Sequence, residues 1–286
     1  TDHPDIYFNA GANFVIKGEG EITLLELLDA LEHRSIKSLE TIAGLYGRQQ
    51  NGEISLSSER SAIENLDELP RPAWDLIDVW KYQKIWRDNY GYFSMNAITT
   101  RGCPYRCNWC AKPIWGQRYH AHSPERIADD MAWLKKTYQP DHIWFADDIL
   151  GLKPNWIQRL AQCLDEQNVH IPLKCLMRAD LINDKTVRAL KNSHCQTVWM
   201  GAESGSQKIL DVMDKNLKIH DIDNAVNLLK QEGIKTGLFL QLGYSQESRH
   251  DIWETIRMIR RLLPDEIGVS VSYPLPGTVF YDRVKN

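Results

Sequence analysis

The sequence of 286 residues predicts an α/β fold in which six parallel strands form a partial barrel. Short runs rich in β-branched and apolar residues alternate with stretches of helical periodicity. Strands that alternate with helices pair in parallel through right-handed crossovers, and six such units are too few for a closed eight-stranded barrel. The predicted strands lie at about 94–101, 142–147, 172–178, 196–202, 235–243 and 267–273.

The helices between these strands carry their own sequence signals. Ser123 followed by Pro124 predicts the start of the first helix, with the serine as N-cap and the proline in the first turn. Gly233 predicts the end of a later helix, because glycine readily adopts the left-handed conformation found there. The other helical patterns lie near 154–167, 183–193, 221–232 and 248–262.

The N-terminal part of the chain, up to about residue 89, does not follow this alternation of strands and helices. Residues 14–21 predict a strand followed by a turn, residues 22–33 an amphipathic helix, and Asn51-Gly52 a hairpin within 42–57. We therefore expect residues 41–89 to form a hairpin and a linker, and residues 90–286 to form the barrel domain. Because the chain starts with Thr1 rather than Met, we expect a piece of a longer protein.

The composition argues against several classes of protein. The formal net charge of −4 and the pI near 6.1 give no electrostatic reason to bind nucleic acid or an anionic membrane. No apolar stretch approaches the roughly 20 residues needed to cross a bilayer, and no signal peptide opens the chain. The six cysteines lack the even spread of a disulfide framework. We therefore expect a cytoplasmic protein without a nucleic-acid or membrane partner.

The loop after the first barrel strand contains Cys103, Cys107 and Cys110. Three thiolates with this spacing can hold three irons of a cubane cluster and leave the fourth iron open, whereas clusters used only for electron transfer usually have four cysteines. Zinc is the main alternative, with His120 or His122 as a fourth ligand, but zinc sites usually show two short paired spacings. The spacing therefore favours a 4Fe-4S cluster that also binds a second molecule.

With Trp109 directly before the third cysteine, this motif resembles the signature of the radical S-adenosylmethionine (SAM) superfamily. The resemblance extends over about residues 90–286 and implies the partial barrel of that family. It implies that the open iron chelates the methionine part of SAM and that an electron from the cluster breaks the sulfonium C–S bond. The 5′-deoxyadenosyl radical would then abstract hydrogen from an organic substrate, so the three cysteines would be both metal ligands and catalytic residues.

The resemblance also implies SAM contacts at the ends of the second and third strands. Asp147, next to Asp148, stands where the family usually carries a polar motif against the methionine amino group; a strand-end or helix cap is the alternative. Arg178 ends the third strand, where its guanidinium could pair either with the SAM carboxylate or with Asp180.

Further contacts are implied at the next two strands. Glu203 and Ser204 resemble the ribose-binding position, although Ser204 could equally cap the following helix. Gly243 opens a Gly-x3-Glu segment that resembles the adenine-side motif, with Tyr244 and Ser245 where the family has Phe-Pro. The implied SAM-binding residues are Trp109, Asp147, Arg178, Glu203, Ser204 and Gly243.

The front of the chain resembles the cobalamin-binding branch of this superfamily. The segment 18–21, Gly-Glu-Gly-Glu, resembles the junction that closes a cobalamin-binding domain, so residues 1–40 would be the end of a truncated, Rossmann-like domain of this kind. Residues 112–119 most resemble proteins like the anaerobic magnesium-protoporphyrin monomethyl ester cyclase. The Asp-x-His-x2-Gly loop that supplies the lower cobalamin ligand is absent, so we expect the whole protein to bind cobalamin and this fragment alone to bind it poorly.

These resemblances imply a cobalamin-linked radical SAM enzyme that acts as an oxidative cyclase or a C-methyltransferase. The expected substrate is a small organic molecule such as a tetrapyrrole, and the expected electron donor is a reductase such as flavodoxin or ferredoxin. An RNA-modifying methylthiotransferase is an alternative, against which the net negative charge argues. A zinc-stabilised binding module without catalysis is another.

Overall fold

The computed structural model describes residues 3–32, 38–49, 51–112 and 115–285. These residues form two compact units, of which the first lies within Thr1–Glu64, Gly102–Pro104 and Lys112–His120, and the second within Asn65–Arg101, Tyr105–Ala111 and Ala121–Asn286. Parts of three predicted features lie outside the described residues: the end of the helix 22–33, residue 50 of the hairpin, and residues 113–114 of the segment 112–119.

The first unit contains a small antiparallel sheet. Its elements are α1 (Pro4–Asn9), β1 (Val15–Ile16), α2 (Glu21–Leu31), β2 (Leu45–Arg48) and β3 (Ile54–Leu56), with the strands in the order β1-β2-β3. Leu27, Ile42 and Leu45 form its buried core. The antiparallel pair β2–β3 lies within the segment predicted as a hairpin. The assignment of residues 1–40 to the end of a cobalamin-binding domain stays a prediction.

The second unit contains the partial barrel that the sequence predicts. Six parallel strands pair in the order β11-β10-β9-β8-β7-β4 and curl into a half-barrel. The elements that follow β3 along the chain are α3 (Val79–Tyr90), β4 (Ser94–Ala97), β5 (Thr100–Arg101), β6 (His120–Ala121), α4 (Pro124–Thr137), β7 (His142–Phe145), α5 (Trp156–Glu166), β8 (Leu173–Met177), α6 (Asp184–Asn192), β9 (Cys195–Glu203), α7 (Gln207–Val212), α8 (Ile219–Gln231), β10 (Lys235–Leu242), α9 (Arg249–Leu262), β11 (Glu266–Val271) and α10 (Val279–Val284).

The barrel helices begin and end as their sequence signals predict. Ser123 caps α4 by accepting a hydrogen bond from the Arg126 N–H at 3.1 Å. Gly233 follows α8 with φ of +70°. Apolar residues of α4, including Ile127 and Met131, are buried in one large core with the sheet. The prediction of an α/β partial barrel is therefore confirmed.

Four helices were not predicted, and one predicted strand is interrupted. The helices α1, α3, α7 and α10 are absent from the sequence interpretation; α3 replaces the end of the expected linker, with Asp78 as its N-cap. The strand expected at 94–101 breaks into β4 and β5, because the Thr99 and Thr100 N–H groups donate to the Asp147 carboxylate. No helix among the described residues is both long and apolar enough to cross a membrane.

Candidate functional site

Among the described residues, the cysteines fall into two classes of exposure. None is in a disulfide; Cys103, Cys107 and Cys110 are partly exposed, whereas the other three cysteines are buried. A thiolate can bind a metal only if the metal can reach it. The accessible thiols are thus those of the motif. The buried ones are Cys163, Cys175 and Cys195, of which the last two lie 4.0 Å apart between sulfurs inside the sheet.

Cys103 lies in the first unit, where close backbone packing fixes the residue before it. Gly102 has φ of +81°, and a Cβ at this position would overlap the Arg118 carbonyl oxygen and crowd Trp115. The ammonium group of Lys112 donates to the Cys103 carbonyl oxygen at 2.8 Å. Glycine is therefore required at position 102, both for the left-handed conformation and for the space.

Cys107 and Cys110 lie in the second unit, and the residue between them that anchors the loop is Asn108. Its backbone N–H donates to the Met213 carbonyl at 3.1 Å, and its side-chain amide donates to the Val212 carbonyl at 2.7 Å. Its side-chain oxygen accepts a hydrogen bond from the Tyr244 hydroxyl. Asn108 is 4% exposed. The sequence interpretation missed this residue, whose one signal is a polar side chain inside the cysteine motif.

Asp147 is fully buried and uses its carboxylate within the protein. It accepts hydrogen bonds from the Thr99 N–H at 2.7 Å, the Thr99 hydroxyl at 2.6 Å and the Thr100 N–H at 2.9 Å. Burial raises the pKa of Asp147 to about 6, against the opposing effect of these hydrogen bonds. The neighbouring Asp148 is exposed. The contact of Asp147 with the SAM amino group stays a prediction, and Asp148 is the residue of the pair that is free to reach a ligand.

Arg178 is also held by the protein itself. It forms a two-pronged ion pair with Asp180 at 3.0 and 3.1 Å, and it donates to the carbonyls of Lys215 and Asn216 at 3.1 and 3.0 Å. Its guanidinium lies over the ring of Tyr105. Burial alone would lower the pKa of Arg178, but the pair with Asp180 raises it above its ordinary value. The ion pair between Arg178 and Asp180, one of the two alternatives given by the sequence, is present. A contact of Arg178 with the SAM carboxylate stays a prediction.

The end of β9 carries a buried ion pair. Glu203, with φ of +58°, accepts a hydrogen bond from the Lys215 ammonium group at 2.6 Å, and both side chains are 7% exposed. The carboxylate occupies space that Gly201 leaves free, since a Cβ there would overlap it. Ser204 is completely buried and accepts from the Ser206 N–H at 3.1 Å. The ribose contacts of Glu203 and Ser204 stay predictions.

The end of β10 combines a sharp turn with an aromatic cluster. Gly243 has φ of +79°, and its N–H donates to Glu247 Oε2 at 2.5 Å. Tyr244 stacks on Phe280 with ring centroids 4.3 Å apart. Trp109 packs against this cluster. The adenine-side role of Gly243 and the SAM contact of Trp109 stay predictions.

Four buried polar side-chain atoms lack a hydrogen-bond partner among the described residues. They lie on the cysteine loop or at the carboxyl ends of β10 and β11: Trp109 Nε1, Gln241 Oε1, Glu247 Oε1 and Ser272 Oγ. A buried polar atom without a partner is destabilising by about 1–3 kcal/mol, and partial barrels bind ligands at the carboxyl ends of their strands. The barrel therefore fits a polar ligand at this end, where Trp109 stands between Cys107 and Cys110 in the loop.

The comparison with known families agrees with this geometry. The family described as the radical SAM superfamily matches residues 97–259. The chain belongs to the radical SAM superfamily. Membership implies a 4Fe-4S cluster and SAM as cofactors, and it favours the cluster over zinc as the occupant of the cysteine motif.

Two relatives of this radical SAM protein are named for different reactions. An uncharacterized methyltransferase from Pyrococcus horikoshii is 30% identical over 94% of this chain and 57% of its own length. An anaerobic magnesium-protoporphyrin IX monomethyl ester cyclase from Synechocystis is 25% identical over 94% of this chain and 53% of its own length. The chain thus spans about half the length of the curated relatives it matches.

Two solved structures share the fold. The cobalamin-dependent SAM radical enzyme OxsB, with aqua-cobalamin and SAM bound, matches with a TM-score of 0.83 and 18% identity, over 99% of this chain and 46% of its own. The radical SAM methyltransferase TsrM from Kitasatospora setae, with cobalamin and a 4Fe-4S cluster bound, matches with a TM-score of 0.74 and 18% identity, over 91% of this chain and 53% of its own. At this level of identity the likeness shows the fold.

Proposed function

We propose that this radical SAM protein binds a 4Fe-4S cluster through Cys103, Cys107 and Cys110, cleaves SAM reductively, and acts in its whole form as a cobalamin-linked methyltransferase on a small organic substrate. The observation that carries the proposal is that the thiols with the family's spacing are the accessible ones, whereas the remaining cysteines are buried. A flavodoxin or a ferredoxin is the proposed electron donor.

The residues around the cysteines would bind and orient the cofactor. When bound, the cluster would supply the electron that breaks the SAM C–S bond and yields a 5′-deoxyadenosyl radical. The exposed carboxylate of Asp148 is suited to the cationic amino group of SAM. The indole N–H of Trp109, which has no hydrogen-bond partner among the described residues, is suited to an acceptor on the ligand. Glu203 and Gly243, at the ends of β9 and β10, remain the proposed contacts of ribose and adenine.

Cobalamin is proposed as a cofactor of the whole protein. Support comes from the segment 18–21, which resembles the end of a cobalamin-binding domain, and from the cobalamin named in the two structural neighbours. The absent Asp-x-His-x2-Gly loop predicts that residues 1–286 alone bind cobalamin poorly. Spectrophotometric titration with aqua-cobalamin compares this chain with a version extended at its N-terminus, and only the extended version is expected to bind tightly.

The two relatives described above favour different reactions. The 30% identical relative is named a methyltransferase, which favours methyl transfer. The 25% identical relative is named a cyclase, which supports oxidative ring formation as the second candidate. Supplying SAM with a labelled methyl group separates them: label in the product supports methylation, and an unlabelled product that has lost hydrogen supports cyclisation.

The proposed SAM cleavage is tested by anaerobic reconstitution. The protein is expected to be brown, to hold about four irons, and to form 5′-deoxyadenosine from SAM in the presence of dithionite. Cys107→Ala should lose the cluster and the product, whereas Cys163→Ala, which changes a buried cysteine of α5, should keep both. A colourless protein with one zinc, or a loaded cluster that leaves SAM intact, would contradict the proposal.

A further inference from the structure

The segment Val212–Asn216 runs from the last residue of α7 toward α8, and we call it the bracket segment. It contacts both the cysteine loop and the end of β9. We propose that Asn108 is a positioning residue that ties the cysteine loop to the ligand-binding end of β9 through the bracket segment. This inference rests on the proposed function, because it concerns how the cluster and SAM are held relative to each other.

The first connection is the anchoring of Asn108. Besides its bonds to the Val212 and Met213 carbonyls, its side-chain amide donates to Asp214 Oδ2 at 2.8 Å. Its own carbonyl accepts from the Phe280 N–H at 2.9 Å. Asn108 therefore uses its backbone N–H, its carbonyl and both ends of its side chain, and it makes three of its bonds to the bracket segment. A residue that only filled space would not need this set of partners.

The second connection is made by Arg178. Its guanidinium donates to the carbonyls of Lys215 and Asn216, and it stacks on Tyr105, four residues before Trp109. Carbonyl groups of the bracket segment thus accept hydrogen bonds from two sides, from the cysteine loop itself and from a side chain that supports the loop. The bracket segment and the loop are joined at two separate points.

The third connection leads to β9. The Lys215 side chain leaves the bracket segment and forms the buried ion pair with Glu203 at 2.6 Å. Asp214 and Asn216 on either side have φ of +53° and +50°. Non-glycine residues adopt this left-handed conformation rarely, and it persists when surrounding bonds fix it. The bracket segment is therefore a defined turn whose shape sets the distance between the loop and Glu203.

A loss of the Asn108 hydrogen bonds should therefore weaken SAM binding at the cluster. Asn108→Ala removes the side-chain bonds and leaves the cysteines unchanged, so the cluster should still load. SAM affinity should weaken about tenfold, in line with the loss of buried hydrogen bonds. The change that SAM causes in the electron paramagnetic resonance (EPR) spectrum of the reduced cluster should become smaller or broader. Tyr244→Phe, which removes one hydroxyl, should have the same effect to a lesser degree.

The control variant is Arg106→Lys, which changes an exposed residue of the same loop and keeps its charge. It should match the wild type in iron content, in SAM dissociation constant measured by calorimetry, and in EPR spectrum.

The outcomes separate this inference from the proposed function. If Asn108→Ala lowers the unfolding temperature but keeps wild-type SAM affinity and the full EPR response, Asn108 is structural and the positioning role is overturned. If Asn108→Ala does not fold, Tyr244→Phe decides in the same way, because its stacking on Phe280 is preserved. If the wild-type protein neither loads a cluster nor binds SAM, the proposed function itself fails.

Discussion

The guanidinium of Arg178 lies over the aromatic ring of Tyr105, with Cζ 3.7 Å from the ring centroid. Arg178 is 7% exposed, so this cation–π contact is shielded from water. Such contacts contribute about 2 kcal/mol when desolvated. Because Tyr105 stands between Cys103 and Cys107 in the sequence, the contact links the third barrel strand to the cysteine loop.

We predict that Arg178→Lys weakens retention of the cluster. Lysine cannot reproduce the two-pronged pair with Asp180 while stacking on Tyr105, because its single ammonium group lacks the planar fork. Iron and sulfide per protein, followed over time in the presence of a chelator, should fall several times faster than in the wild type. The control Arg188→Lys changes an exposed arginine of α6 and should behave as the wild type does. Equal rates for both variants would show that the contact with Tyr105 does not support the loop.

The buried carboxyl group of Asp147 predicts an unusual pH dependence of stability. Its pKa is about 6 in the folded protein and 3.8 in an ordinary aspartate, so between these values the folded state keeps a proton that the unfolded state has lost. The stabilisation of the folded state by the protonated Asp147 carboxyl group is therefore fully present below about pH 4 and is lost as the pH rises to about 6. This direction is opposite to that of a carboxylate whose pKa is lowered by folding.

Asp147→Asn, which cannot ionise, should remove this dependence. The free energy of unfolding of the wild type, minus that of the variant, should fall by up to about 3 kcal/mol between pH 4 and pH 6. Urea unfolding at a series of pH values measures it, and Asp148→Asn, which changes the exposed neighbour, is the control. A difference that stays constant or rises over this range would contradict the burial-raised pKa.

The sequence predicted the barrel well because local patterns determine it. Alternating strands and helices, the Ser123 cap and the glycine after α8 each depend on neighbouring residues, and the structure confirms them. The helix α3 was missed because exposed aromatic residues and charges obscure its apolar stripe; Trp80 and Tyr82, for example, are more than half exposed. The break after β4 could not be foreseen, because it depends on Asp147, which is distant in the sequence.

The candidate site was predictable where chemistry fixes the spacing of residues. Cys103, Cys107 and Cys110 are the proposed ligands of one compact cofactor, and such ligands recur at a short, fixed spacing that can be recognised in a single sequence. The contacts of Asn108 and Lys215 are different in kind, because their partners are Tyr244 and Glu203, which the fold brings together from other strands. A single sequence carries no local signal for such pairs.

Gly102 provides a test of how tightly the start of the cysteine loop is packed. Gly102→Ala should lower both stability and iron content, because the new Cβ would overlap the Arg118 carbonyl oxygen and the left-handed φ would be strained. Gly116→Ala is the matched control, since Gly116 also has a positive φ, +62°, but no described residue beyond its chain neighbours lies within 4 Å of the added Cβ. The control should lose only about 1 kcal/mol, and an equal loss in both variants would show that crowding at position 102 is unimportant.

The ion pair of Glu203 and Lys215 predicts strongly non-additive effects on stability. Lys215→Met leaves a carboxylate that is almost fully buried without its cation, which should be destabilising by about 3–5 kcal/mol. Adding Glu203→Gln removes the uncompensated charge, so the double variant should recover much of that loss despite carrying two changes. Denaturant unfolding of the wild type, both single variants and the double variant gives the interaction free energy. If the losses simply add, the two charges do not depend on each other, and Lys215 cannot transmit the position of the bracket segment to the end of β9.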